Sequence, residues 1–362
     1  MPWKRVMTTV ATRAQQTRLQ PRRVVLCADF DQTLTTRDTI ALLFQSAANR
    51  QKSAQAKEEH ATQVQRLVKQ YASEMSGFVT NYHYKRKQLS GGIARTQTVA
   101  ETATAGQPAH TSVGAHHGGR ENSDPFFDAA GLSAFLDGYG AVDLQSIRRV
   151  IDLNVLRGIH EQDLVDSAKQ IELMDKCVDV LASADAAYVI SSNWSAAMLD
   201  AALHSGNSRA KIKIITNNLE LDADGVTTGK IEMRVQSPSD KAQWVRQIRM
   251  NEKELKSTGG HHQQQYQQQS EPPLIVFVGD SANDLLAMVE ADVGISLITD
   301  ADSSFVKLAD RFGVQMEPIA NKKSLLECAR ASKEASLQDR QVLFTANEWE
   351  EIGDAIAFNQ RG

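Results

Sequence analysis

The sequence predicts a doubly wound α/β fold on a parallel sheet. Short apolar runs at 24–28, 187–190 and 274–278 read as buried strands, each rich in Val, Ile or Leu and each running into a polar turn. Continuous apolarity, without polar alternation, marks strands covered on both faces. Helical periodicity recurs between them, most clearly at 39–49, 59–78, 144–155, 161–181 and 241–256. Strands alternating with helices imply a doubly wound α/β domain.

Bulk properties narrow the function classes. The chain has 362 residues, 41% hydrophobic and 23% charged, as expected of a globular protein with a sizeable core. Its formal net charge of −4 argues against a basic surface for nucleic acid. No apolar run approaches the roughly 20 residues of a membrane helix. Cys27, Cys177 and Cys328 are few and widely spaced, which suggests a reducing compartment and not a disulfide framework.

The N-terminus is basic. Lys4, Arg5, Arg13, Arg18, Arg22 and Arg23 precede the first acid, Asp29, and Trp3, Val6, Met7 and Val10 recur at helical spacing. Residues 1–21 therefore read either as a transit peptide or as a disordered basic tail. The expected location is intracellular: cytoplasm, or the matrix of a mitochondrion or plastid. Two stretches, about 96–124 and 256–273, are rich in Thr, Ala, Gly, His or Gln and read as disordered surface insertions. His110, His116, His117, His261 and His262 fall in them without Cys or acidic ligands at regular spacing.

Four constellations carry chemistry. Asp29-Phe30-Asp31-Gln32-Thr33 follows the first strand directly. Residues two apart in an extended segment share a side, so Asp29 and Asp31 can face one pocket. Two close carboxylates repel and divide into an ionised nucleophile and a general acid. Ser191-Ser192-Asn193-Trp194 follows the second strand, where a hydroxyl can donate to phosphate or cap the next helix. Lys241 opens a helix, a position the helix dipole disfavours for a cation unless it neutralises phosphate and carboxylate. Gly279-Asp280-Ser281-Ala282-Asn283-Asp284 follows the third strand. With Asp29, Asp280 and Asp284 could supply the hard oxygen ligands of Mg²⁺. Taken alone, the first three motifs are better read as a solvated turn, an N-cap and an exposed lysine, and the acids of the fourth also suit a helix dipole.

In this order the four motifs resemble the haloacid dehalogenase superfamily of phosphatases. The resemblance implies a HAD-like Rossmannoid core over 22–37 and 186–362, with a mainly helical cap at 38–185. It implies Asp29 as nucleophile and Asp31 as general acid and base. Ser191, Ser192 and Lys241 are then phosphate-binding, and Asp29, Asp31, Asp280 and Asp284 form the Mg²⁺ site. The stretches 155–159, 189–195, 228–231, 237–241, 279–295 and 311–314 are similar to the phosphatase domain of plant thiamine monophosphate phosphatases and their fungal and protist relatives. The plant proteins also carry a thiaminase-II-type helical domain, for which this chain is expected to have no room. The expected partner is a small phosphomonoester, thiamine monophosphate first, with Trp194 either beside its cationic ring or anchoring the helix at 196–202 against the core; no nucleic acid or membrane is expected, and the oligomeric state stays open. Phosphoserine, pyridoxal phosphate or a nucleotide is the rival substrate, and a catalytically silent HAD-fold binding protein the rival class.

Deleting residues 98–122 or 261–269 is expected to leave folding and turnover nearly unchanged, because their composition cannot build a core and loop length is thermodynamically cheap. A large drop in melting temperature or kcat after either deletion would contradict this.

Overall fold

The computed structural model describes residues 22–84, 126–204, 211–254, 271–298 and 303–361. The expectations for 1–21, for 96–124 and for nearly all of 256–273 lie outside these residues. A seven-stranded sheet forms the centre. Its strands are β1 (Val24–Ala28), β2 (Ala186–Ser191), β3 (Ile212–Thr216), β6 (Leu274–Gly279), β7 (Val293–Leu297), β8 (Val314–Pro318) and β9 (Gln341–Ala346), in the order β3-β2-β1-β6-β7-β9-β8. Every pairing in it is parallel. A separate antiparallel hairpin joins β4 (Asn218–Leu221) to β5 (Thr227–Glu232).

The apolar runs behave as continuous apolarity requires. Val24, Leu26 and Ala28 enter one core cluster, and Val25 and Cys27 enter the other, across the sheet. β2 and β6 divide in the same way, with Val189 and Val276 on the first side and Ile190 and Phe277 on the second. Helices cover both faces, so β1, β2 and β6 are buried along almost their whole length. The three cysteines are buried and unbridged. No helix among the described residues is long and apolar enough to cross a membrane.

Between β1 and β2 run α1 (Ile40–Asn49), α2 (Ala54–Asn81), α3 (Ala129–Asp152), α4 (Glu161–Ser167) and α5 (Cys177–Ser183). α2 packs along α3, and Arg149 of α3 holds Glu74 of α2 through two hydrogen bonds of 3.0 and 2.6 Å. α3 begins 15 residues before the periodicity of 144–155 suggests, with Asp128 accepting from the Gly131 N–H at its N-cap. Gly131, Gly138 and Gly140 disguise that first half. They reflect close packing: a Cβ on Gly138 would lie 2.6 Å from the Phe78 ring.

The helix expected over 161–181 is two helices. After α4 the chain leaves helical geometry to meet the first motif: Leu173 bridges Thr35, and the Met174 N–H donates to the Leu34 carbonyl at 2.8 Å. Lys176 then takes a left-handed turn, φ 61°, into α5. α5 packs on α11 (Trp349–Arg361), the last helix of the chain.

The remaining helices are α6 (Ala196–Leu203), α7 (Pro238–Glu254), α8 (Leu285–Glu290), α9 (Ser304–Arg311) and α10 (Leu325–Ser336). The β4–β5 hairpin staples the turn that follows α3. Thr227, 1% exposed, donates its hydroxyl to the Leu156 carbonyl at 2.6 Å and accepts from the Ile159 N–H at 2.9 Å.

Thr227→Val keeps the shape and removes both side-chain bonds. Stranding a buried backbone donor and acceptor should cost about 2 kcal/mol or more of stability. Urea unfolding measures this; an unchanged midpoint would show that the hairpin does not hold the turn.

Candidate active site

β1, β2 and β6 are neighbours, so their C-terminal ends bring the first, second and fourth motifs together. The Asp29 N–H donates to the Val278 carbonyl at 2.9 Å, which fixes Asp29 beside β6. The chain leaves the strand there. The Phe30 carbonyl receives the N–H groups of Thr33, Leu34 and Thr35, and Gln32 adopts φ 59°. Phe30 is buried in the core. Asp31 thus stands in a turn, not in the extended segment on which the sequence argument placed it. Its Oδ1 accepts from the Thr39 backbone N–H (2.7 Å) and hydroxyl (2.5 Å), and its Oδ2 accepts from Asn193 Nδ2 at 3.0 Å.

Lys241 is the fourth residue of α7 and is 1% exposed. Its Nζ lies 2.9 Å from Asp29 Oδ1 and 2.7 Å from Asp284 Oδ1. Burial works against its charge, but the carboxylates of Asp284 and Asp29 outweigh it and hold its pKa above the ordinary lysine value. Asp284, fully buried, closes the fourth motif on itself: its Oδ2 accepts from the backbone N–H groups of Asp280 and Ser281 and from the Ser281 hydroxyl. Gly279 is required by that closeness, because a Cβ there would lie 2.5 Å from Asp284 Cβ. Asp280 accepts from the Thr33 hydroxyl at 2.8 Å.

Among the described residues, Asp29, Asp280 and Asp284 offer carboxylate oxygens that all lie within 4.8 Å of one another. The grouping fits a hard divalent cation. All its donors are carboxylate oxygens, and Asp29 Oδ1 is buried and, although ion-paired with Lys241, has no partner in hydrogen-bonding geometry. Asp29 and Asp280 have oxygens to give, whereas Asp284 commits both of its own to Lys241 and the turn. Asp31 does not join the grouping. The electrostatics agree. Asp29 has its pKa pushed well above the usual carboxylate range by burial and then by Asp284, with Lys241 opposing. Burial and Asp284 raise Asp280 to about 7, against the pull of Thr33 and Lys241.

Ser191 ends β2, 1% exposed, and accepts from the Asn193 N–H at 3.1 Å, so its hydroxyl can still donate. Ser192 is half-buried, and its carbonyl accepts from Asn217 Nδ2. Trp194 lies in the core, 8% exposed, with its ring edge-on to Phe44 at 6.1 Å. A cavity of about 800 Å³ lies apart from all of these, lined by Gln51, Gln55, His60, Arg66, Leu153 and Asn154 among others.

Sequence reasoning gave no role to the residues that hold these groups. Thr39, Asn193 and Thr33 position Asp31 and Asp280. Asn217 is fully buried and binds the Ser192 and Val235 carbonyls and the N–H groups of Arg234 and Val235, which ties the second motif to the segment leading into α7. Thr33 and Asn193 sit inside the motifs; Asn217 carries no local signal.

A parallel α/β sheet with Asp29 and Asp31 just past β1, Ser191 at the end of the neighbouring β2, and Lys241, Asp280 and Asp284 grouped with Asp29 is consistent with a haloacid dehalogenase-like fold. No family model matches the chain. It is 27% identical over 236 residues to the bifunctional TH2 protein, mitochondrial, of Arabidopsis thaliana; the match covers 62% of this chain and 36% of that protein, so the chain spans about a third of that relative's length. Similar solved structures include a phospho-aspartyl intermediate analogue of phosphoserine phosphatase, with TM-score 0.41 and 16% identity over 80% of this chain and 91% of the other. Cytosolic 5'-nucleotidase IIIB bound to cytidine has TM-score 0.41 and 11% identity over 94% and 86%.

Because Asp280 holds its proton up to about pH 7, a dication must displace that proton at lower pH. Affinity for Mn²⁺ or Mg²⁺ should therefore fall by roughly tenfold per pH unit below about 7. The raised pKa also means that the metal-free protein loses stability as pH rises from the usual carboxylate range through about 7. Calorimetric titration at several pH values measures the first effect; a flat profile would contradict it.

Proposed function

We propose that this chain is a Mg²⁺-dependent phosphomonoester hydrolase that works through an aspartyl-phosphate on Asp29, with thiamine monophosphate as its substrate. The observation that carries the reading is the ion-paired Asp29–Lys241–Asp284 row beside a carboxylate, Asp31, held by Thr39 and Asn193. A nucleophile, a fixed cation and an oriented acid meet at one strand end.

In the first half-reaction a carboxylate oxygen of Asp29 bonds to phosphorus and the ester P–O bond breaks. Asp31 gives a proton to the departing oxygen. Its Oδ1 is committed to Thr39, so Oδ2, which meets Asn193, is the atom suited to carry that proton. In the second half-reaction Asp31 takes a proton from water, the water oxygen bonds to phosphorus, and the acyl-phosphate bond breaks to release phosphate and restore Asp29. Lys241 and the Ser191 hydroxyl orient and neutralise the phosphoryl oxygens. Mg²⁺, held by Asp29 and Asp280, would supply further charge stabilisation on the same oxygens.

The substrate assignment draws on the motif similarity described above. The TH2 relative's name marks it as mitochondrial, which supports the transit-peptide reading of residues 1–21.

Asp29→Asn should abolish phosphate release while the protein stays folded, because an amide cannot be this nucleophile, and excess EDTA should silence the wild-type protein. Wild-type kcat/KM should be higher for thiamine monophosphate than for phosphoserine or pyridoxal phosphate. Turnover that survives Asp29→Asn would refute the covalent route, and equal kcat/KM across the panel would remove the substrate assignment alone.

A further inference from the structure

Above the carboxylates stands a group that the phosphoryl chemistry does not use. Tyr139 and Asp143 are four residues apart on α3, on one face of the helix. Gly140, between them, brings α3 down onto the start of α7: a Cβ there would lie 3.1 Å from Ser237 Cβ and 3.2 Å from Pro238 Cδ. Tyr71 of α2 donates its hydroxyl to Asp143 Oδ1 at 2.7 Å. Asn283, within the fourth motif, donates to Asp143 Oδ2 at 3.3 Å. Tyr139 interacts with Tyr71 and lies in electrostatic reach of Asp284 and Asp280.

The charge balance here is one-sided. Asp143 is half-buried, and its two bonding partners are neutral. Among the described residues no Lys, Arg or His forms an ion pair with it, and Lys241, the cation in reach, is already held between Asp29 and Asp284. Asp38 adds another carboxylate, in reach of both Asp31 and Tyr71. A partly desolvated carboxylate that meets only neutral donors is costly, and the cost is relieved when a cation arrives with a ligand. Two phenol rings beside it offer the π faces that attract such a cation. An anionic leaving group would meet repulsion from the same carboxylates.

We propose that Tyr71, Tyr139 and Asp143 form a leaving-group subsite that selects a flat, positively charged heteroaromatic alcohol. The assignment rests on the phosphatase reading, which puts the phosphate at Asp29 and so directs the rest of the ester toward α2 and α3.

The test needs no turnover. An N-alkyl thiazolium bearing a hydroxyethyl group and the neutral thiazole alcohol of the same ring are each titrated calorimetrically into the full chain. The cation should bind at least about tenfold more tightly than the neutral alcohol. Asp143→Asn should bring that ratio to within about twofold, and Tyr139→Leu should reduce it. Tyr71→Phe keeps the ring and removes the bond to Asp143; it should also reduce the ratio, and it serves if Asp143→Asn does not fold. A wild-type ratio near one, failure of both ligands to bind, or a ratio unaltered by these substitutions would overturn the subsite. Phosphate release by Asp29→Asn bears on the phosphatase reading alone, whatever the titration gives.

Discussion

The site depends on one buried lysine. Lys241 is buried, and its charge is compensated by the carboxylates of Asp29 and Asp284. Each contact constrains a different part of the chain. Asp29 is held by β6 through its own N–H, and Asp284 gathers the backbone of Asp280 and Ser281 around its other oxygen. Gly279 has to be bare for that loop to close. Remove either carboxylate and the buried lysine keeps one partner of its two, which weakens the tie between the first and fourth motifs. The third motif therefore holds the first and fourth together.

Much of this was legible in the sequence, for identifiable reasons. Strands buried on both faces have no polar register to hide them, and all three expected strands lie within a residue or two of their expected ends. Asp29, Lys241, Asp280 and Asp284 are each anchored to a strand end or helix start, so short motifs located them. Local pattern could not show partners distant in sequence. The break after α4 exists because Leu173 and Met174 pair with Thr35 and Leu34, nearly 140 residues earlier. The first half of α3 was obscured by glycines set by distant partners: Gly138 by the ring of Phe78 on α2, and Gly140 by Ser237 and Pro238 at the start of α7. Trp194 looked like a pocket residue from its distance to Ser191, but position along a chain does not tell on which side of a turn a ring falls. Here the ring falls against Phe44.

The helices between β1 and β2 join the site as directly as the strands do. Thr39, just ahead of α1, fixes Asp31; Leu173, after α4, braces the turn behind it; Asp143 reaches Asn283, beside Asp284. Movement of α2 and α3 would disturb the Tyr71–Asp143–Asn283 contacts that reach the fourth motif.

The sheet order has a consequence for the making of the protein. β8 pairs with β9, and β9 lies between β7 and β8. As the chain is synthesised, β8 emerges before the strand it must bond, and waits. The next helix brings Trp349, whose indole N–H donates to the Thr33 carbonyl in the very first motif. Thr33 in turn holds Asp280. A nascent chain that already carries Asp29, Asp31, Lys241 and Asp280 still lacks this brace on the turn after β1, which arrives only with α11.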